Sequence, residues 1–248
     1  MSRTMHRITF LLLLLTGVSL SAQTPAAAPS DLDSYVQHVM QEFEVPGVSV
    51  ALVKDGRVLA ARGYGVRRVG EPATVDAETL FAIASNTKAF TATALGLLVE
   101  EGKIEWDAPV VNYLPGFQLW DPYVTREITV RDLLVHRSGL GLGAGDLLWW
   151  PPSTYGRSEI VQRLRHIRPA TSFRSHYAYD NVLYVVAGEV VHAVSETSWE
   201  DFVVSRIFRP VGMTTSTVLR LPQEAQGNIA RPHAKVDGEI RPIAPFVG

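Results

Sequence analysis

A chain of 248 residues, 46% of them hydrophobic, with 23 basic against 25 acidic side chains, is long enough to bury a sizeable core and reads as one globular domain. Its near-neutral balance, with scattered arginines and only Lys54, Lys88, Lys103 and Lys235 as lysines, excludes a nucleic-acid binder and a polybasic membrane-surface protein. The lack of cysteine excludes disulfides, thiol catalysis and cysteine-bound zinc.

Taken from the N-terminus, Arg3, His6 and Arg7 precede an apolar run over residues 8–15, and Ser19-Leu20-Ser21-Ala22 follows. This is the layout of a secretory signal peptide over residues 1–22. The run falls short of the about 20 apolar residues a spanning helix needs. Export to the periplasm or the medium, with no stable membrane anchor after cleavage, is therefore expected. A Pro/Ala-rich linker occupies 23–30, and the folded domain is expected over 31–248.

Ser30 is placed to cap a helix over 31–43, where Leu32, Tyr35, Val36 and Val39 form one apolar stripe. Pro46-Gly47 ends it. Two β-type runs, 48–53 and 58–63, flank Asp55-Gly56, a dipeptide that tolerates the positive φ of a two-residue hairpin turn. A long helix is expected over 85–101, with Phe90, Ala94, Leu97 and Leu98 on one face and Gly102 as its cap. Thr129-x-x-Asp132 has the spacing of a capping box opening a short helix that stops at Ser138-Gly139. Ser198-x-x-Asp201 repeats that spacing ahead of residues 202–208. Between them, 181–194 reads as a buried helix, and Asp237-Gly238 predicts a second hairpin turn.

The chemistry begins with Ser85 and Lys88, the only serine followed by a lysine three places on. On a helix, that spacing brings hydroxyl and amine onto one face. A serine hydroxyl is a weak nucleophile until a base removes its proton, and a desolvated lysine is such a base. Alone, the pair also describes an N-cap and a surface lysine, because the motif is short. Tyr179-Asp180-Asn181 adds a second feature: it is the only tyrosine with an asparagine two places on, and it lies where a polar turn enters an apolar helix.

In this order, Ser85-x-x-Lys88 and Tyr179-x-Asn181 resemble the first two signatures of the serine β-lactamase and penicillin-binding-protein superfamily. ITVRDLLVHRSGL at 128–140 and WEDFVVSRIFRPVGM at 199–213 resemble framework segments of the branch holding class C β-lactamases and their esterase and D-aminopeptidase relatives. The resemblance runs from about Ser30 to the end. It implies an α+β, β-lactamase/transpeptidase-like fold: an antiparallel sheet flanked by helices, plus a helical subdomain. It also implies that Ser85 becomes acylated, that Lys88 and Tyr179 share the proton transfers, and that Asn181 bonds Lys88 and the substrate. Hydroxyl, amine and phenol should then meet in one dry cleft. The substrate would be a small-molecule ester, a β-lactam or a peptidoglycan-type D-amino-acid peptide, handled without cofactor or metal.

The family's third signature, Lys-Thr-Gly or His-x-Gly on a downstream strand, has no counterpart here; Lys54-Asp55-Gly56 fits only as the hairpin turn. The chain is accordingly expected to be a C-terminally truncated fragment, lacking strands and inactive by itself, of an enzyme active at full length. A catalytically silent penicillin- or peptidoglycan-recognising sensor of the same fold is the alternative. The apolar loop Leu147-Leu148-Trp149-Trp150-Pro151-Pro152 fits either a substrate pocket or ordinary packing. His136 is expected to cap a helix end rather than complete a Ser-His-Asp triad, and His166, His176, His192 and His233 lack metal-ligand spacing.

Overall fold

A computed structural model describes residues 27–218 and 227–244. The expected signal peptide, and the expected linker up to residue 26, lie outside the described residues. The first helix, α1 (Leu32–Glu42), starts from Asp31 rather than Ser30, and only Val36 of the expected stripe is buried; Tyr35 faces solvent. Its Asp33 accepts hydrogen bonds from Arg62 and Tyr64, both at 2.6 Å, which ties the helix to the neighbouring hairpin by polar contacts.

That hairpin is β1 (Gly47–Lys54) paired antiparallel with β2 (Arg57–Gly65), from Gly47 opposite Gly65 to Lys54 opposite Arg57, with a one-residue register shift between Leu52 and Val53. Asp55 at φ 51° and Gly56 at φ 71° supply the two left-handed residues of the turn. Lys54-Asp55-Gly56 is thus a turn, as expected. A second two-stranded sheet pairs β3 (His233–Val236) with β4 (Glu239–Pro242) across Asp237-Gly238. The segment before β3 is sewn to the one after β2. Asn228 donates to Asp76 and accepts from Thr79, each at 2.6 Å, and Leu80 bridges Ile229.

The core lies in the helical part. A 3-10 turn, Ala84–Asn86, leads into α2 (Thr87–Glu100), whose Ala94, Leu95 and Leu98 are fully buried. The buried stripe is therefore 91/94/95/98, while the expected Phe90 and Leu97 flank it, Phe90 edge-on to Phe208 at 5.1 Å. After α3 (Pro122–Glu127), Thr129 and Asp132 form the predicted capping box: Asp132 Oδ2 accepts from the Thr129 N–H and hydroxyl at 2.9 Å, and the Asp132 N–H returns to Thr129 Oγ1 at 3.2 Å. It opens only a 3-10 turn, Arg131–Leu134, not a helix reaching Ser138.

Next come α4 (Arg157–Arg163) and α5 (Val182–Ser195). The latter buries Val182, Leu183, Val186, Ala187, Val190 and Val191, because its apolar residues occupy nearly every inward position. At the second Ser-x-x-Asp, Ser198 Oγ accepts the Asp201 N–H at 3.0 Å and donates to Asp201 Oδ2 at 2.8 Å at the head of α6 (Trp199–Val203), which runs on as a π-turn to Phe208. Each large side chain so buried contributes about 1.5–3 kcal/mol. Together, α2, α5 and α6 form the body that carries the site.

Candidate active site

Ser85 stands in the 3-10 turn ahead of α2, directly after Ala84, whose φ of 42° is left-handed. For a residue with a Cβ this conformation costs about 1–3 kcal/mol, and it is held here by the Asn86 N–H and side-chain amide, both bonded to Ile83 O at 3.0 and 3.1 Å. The turn leaves Ser85 exposed on the surface of the helical body.

Tyr179 and Asn181 come from the segment that opens α5. That segment is pinned from behind by residues 136–143. The Ala178 N–H donates to His136 O at 2.9 Å, the Asp180 N–H to His136 Nδ1 at 3.2 Å, and the Gly143 N–H to Tyr179 O at 3.1 Å. Ser138 Oγ donates to Asp180 Oδ2 at 3.2 Å. Arg174, whose N–H reaches Arg137 O at 2.8 Å, also grips Asp132 through Nε at 3.0 Å.

The result brings all four sequence-predicted residues together. Tyr179 OH donates to Ser85 Oγ at 2.8 Å, Lys88 Nζ donates to Ser85 Oγ at 3.2 Å, and Lys88 Nζ donates to Asn181 Oδ1 at 2.7 Å. The Lys88 ammonium lies 4.7 Å from the centre of the Tyr179 ring and 5.2 Å from that of Tyr184. One expectation is corrected: the cleft is not dry. Ser85 is exposed and Lys88 half-buried, because among the described residues the helical body lies on one side of the nucleophile and nothing closes the other.

Electrostatics follow from this packing. Burial pushes the Tyr179 phenol up, but the hydrogen bonds to Lys88 and Ser85 outweigh it, and the phenol ends below the ordinary tyrosine value. His136, buried with its ring 4.4 Å from that of Tyr179, is held below the ordinary imidazole value by burial and by the Lys88 ammonium. Because its Nδ1 accepts the Asp180 N–H, the neutral ring carries its proton on Nε2. It therefore backs Tyr179 instead of capping helix carbonyls, and the hydroxyl it would need as a triad base is bonded to Lys88 and Tyr179. Burial raises the Asp180 carboxyl to about 6, against the opposing bonds from Ser138 and the Leu183 N–H.

Three neighbours were not singled out by the sequence. Tyr184 lies one turn along α5 from Asp180 and donates to Leu134 O at 3.0 Å. Asp180 itself is fully buried between the two signature residues. Asp146 accepts from Asn181 Nδ2 at 3.0 and 3.2 Å, and so fixes which way the amide faces: oxygen to the ammonium, nitrogen to the carboxylate. A cue was present in Gly145-Asp146, a turn dipeptide in a glycine-rich loop, but nothing local linked it to a residue 35 positions away. In the apolar loop, Leu148 and Trp149 pack on the core, whereas Leu147 and Trp150 are exposed.

The constellation is a serine hydroxyl flanked by a phenol and an ammonium, the equipment of acyl transfer. Comparison with known proteins points the same way. An unguisins hydrolase, ungD', of Aspergillus campestris is 33% identical over 200 residues, covering 77% of this chain and 36% of that protein. A D-amino acid amidase from Ochrobactrum anthropi SV3, solved with D-phenylalanine, superposes with a TM-score of 0.69 at 30% identity, over 84% of this chain and 58% of the other. A class C β-lactamase from Rhodobacter sphaeroides gives a TM-score of 0.69 at 26% identity, over 88% and 59%. The chain thus spans about a third of the curated relative and under two thirds of these solved chains. The β-lactamase family profile matches residues 32–247, and the chain belongs to that family of serine β-lactamase-fold hydrolases.

Proposed function

We propose that this protein is an exported serine hydrolase that works through an acyl-enzyme on Ser85. The observation that carries the reading is the double hydrogen bond on Ser85 Oγ, from Tyr179 at 2.8 Å and Lys88 at 3.2 Å. The lowered pKa of Tyr179 eases loss of its proton to give a phenolate that the Lys88 ammonium stabilises. The phenolate takes the Ser85 proton as Oγ adds to the substrate carbonyl; the tetrahedral intermediate collapses, and the leaving group departs with the proton from Tyr179. Water, deprotonated by the same phenolate, then adds to the acyl-serine and releases the acid. Lys88 keeps its position through Asn181 Oδ1.

The substrate is a small molecule with an activated or strained carbonyl: an ester, a β-lactam or a D-amino-acid amide or peptide. The similar amidase solved with D-phenylalanine supports the last of these. Export rests on the apolar run at 8–15 behind Arg3 and Arg7. N-terminal sequencing of secreted material tests it, with a start near Gln23 expected and an intact Met1 opposing it.

The hydrolase reading is tested on the product of the complete reading frame with a fluorophosphonate probe and a p-nitrophenyl ester. Labelling that disappears in Ser85→Ala, together with many product equivalents per chain, is expected. Labelling without turnover would favour a sensor, and no labelling would end the acyl-enzyme reading.

A further inference from the structure

We propose that His136 is a positioning residue for acyl transfer: its ring and its backbone together hold the Tyr179 phenol against Ser85, so that the rate depends on a side chain outside the four-residue constellation. The inference rests on the serine-hydrolase reading and adds a residue to that same site. The need for it arises from the open cleft. Ser85 is exposed, and a tyrosine ring swings about two side-chain torsions. Tyr179 OH meets Ser85 Oγ at 2.8 Å only while its backbone and its ring plane are both held.

His136 grips the chain on both sides of Tyr179. Its carbonyl accepts the Ala178 N–H at 2.9 Å, and its Nδ1 accepts the Asp180 N–H at 3.2 Å. The same ring lies against the phenol, the two centres 4.4 Å apart and the planes 30° from parallel. It has little room to retreat. The residue is buried, with Tyr177 edge-on at 5.6 Å and Tyr184 also at 5.6 Å, the latter tied to Leu134 O at 3.0 Å. Its φ of 57° is left-handed, a conformation a residue with a Cβ keeps where its surroundings over-determine it. An imidazole does both jobs at once. Phenylalanine would supply the plane but leave the buried Asp180 N–H without this partner, and asparagine would supply an acceptor without the plane. Burial and the Lys88 ammonium keep the ring neutral at pH 7, and a neutral ring is what leaves Nδ1 an acceptor.

The test follows the rate of fluorophosphonate labelling of Ser85, and kcat and KM for p-nitrophenyl acetate, on the product of the complete reading frame and well below every variant's melting temperature. His136→Ala should lower the labelling rate and kcat by about 10 to 10², the size of a misplaced catalytic group, with KM unchanged. His136→Asn, which restores an acceptor for the Asp180 N–H, should recover about three- to tenfold of that loss, the worth of one hydrogen bond. The deciding measurement is the cycle with Tyr179→Phe. Since His136 acts through the phenol hydroxyl, His136→Ala should slow labelling no further in the Tyr179→Phe background. An equal loss in both backgrounds, or an Asn variant as slow as the Ala one, would overturn the proposal. If His136→Ala fails to fold, His136→Phe, which refills the space but lacks the acceptor, takes its place in the same cycle. Labelling at the wild-type rate in His136→Ala removes this inference alone, whereas absence of labelling in the wild type removes the hydrolase reading and this inference with it.

Discussion

The helical body and the strand end of the molecule are built to different standards. In the body, α2 and α5 meet through fully buried Leu95, Leu98, Leu183, Val186 and Val190. At the strand end, β1 and β2 bury only Ala60, while Val53 and Val58 remain 60% and 67% exposed. Every residue of the candidate site is carried by the body: Ser85 and Lys88 at the head of α2, Tyr179 and Asn181 at the head of α5. The geometry of the nucleophile is therefore set by helix packing. The hairpin, held by backbone pairing and a few polar links, contributes no side chain to the four-residue constellation.

The sharpest separation comes from chemistry without folding. Ser85→Ala should abolish fluorophosphonate labelling, and Tyr179→Phe should lower ester turnover by about 10² to 10⁴, both with unchanged melting. Next in size, Leu98→Ala in the body should cost about 2–5 kcal/mol, read as a lowered denaturant midpoint with activity lost in parallel. If Leu98→Ala were neutral, the body would not be what positions the site.

Acidity probes the join between core and site. The Asp180 carboxyl is raised in the folded state, so the folded chain holds its proton more tightly than the unfolded one. Its contribution is then fully present below about pH 4 and is lost as pH rises towards about 6, for about 3 kcal/mol. Asp180→Asn should abolish that loss, making the stability difference from wild type grow between pH 4 and pH 6 in the variant's favour and level off above. A difference that stays flat across that range would place the carboxyl in water. The smallest effect belongs to the strand end: Val58→Ala should shift stability by less than about 0.5 kcal/mol. Amide exchange should likewise be faster across β1 and β2 than in α2 and α5. Equal protection in the two regions would erase the comparison.

Much of this was legible in the chain. The hairpin turns at Asp55-Gly56 and Asp237-Gly238, the Thr129–Asp132 capping box, the Ser198 cap and the start of α5 follow from local stereochemistry that tertiary contacts left alone. Where local and tertiary preferences conflicted, the latter prevailed. Tyr35 fits an apolar stripe by spacing, yet α1 meets the hairpin through Asp33 and leaves that ring in solvent. Asp146 has no local link to the site and His136 reads from the sequence as a helix-end cap, because their roles exist only across loops brought together by folding.

The sequence by itself determined the chemical inventory: one serine with a lysine one turn away, one tyrosine with an asparagine beside it, and helices able to carry both pairs. Residue types and short spacings are local properties, and a single turn of backbone fixes them. Only the tertiary structure decided that the two pairs meet, that Asp146 orients the amide of Asn181, and that Ser85 opens to solvent. Those depend on how α2 docks against α5, which brings together residues such as Lys88 and Asn181 that are 93 positions apart, and packing of side chains distant in the chain is what selects that arrangement.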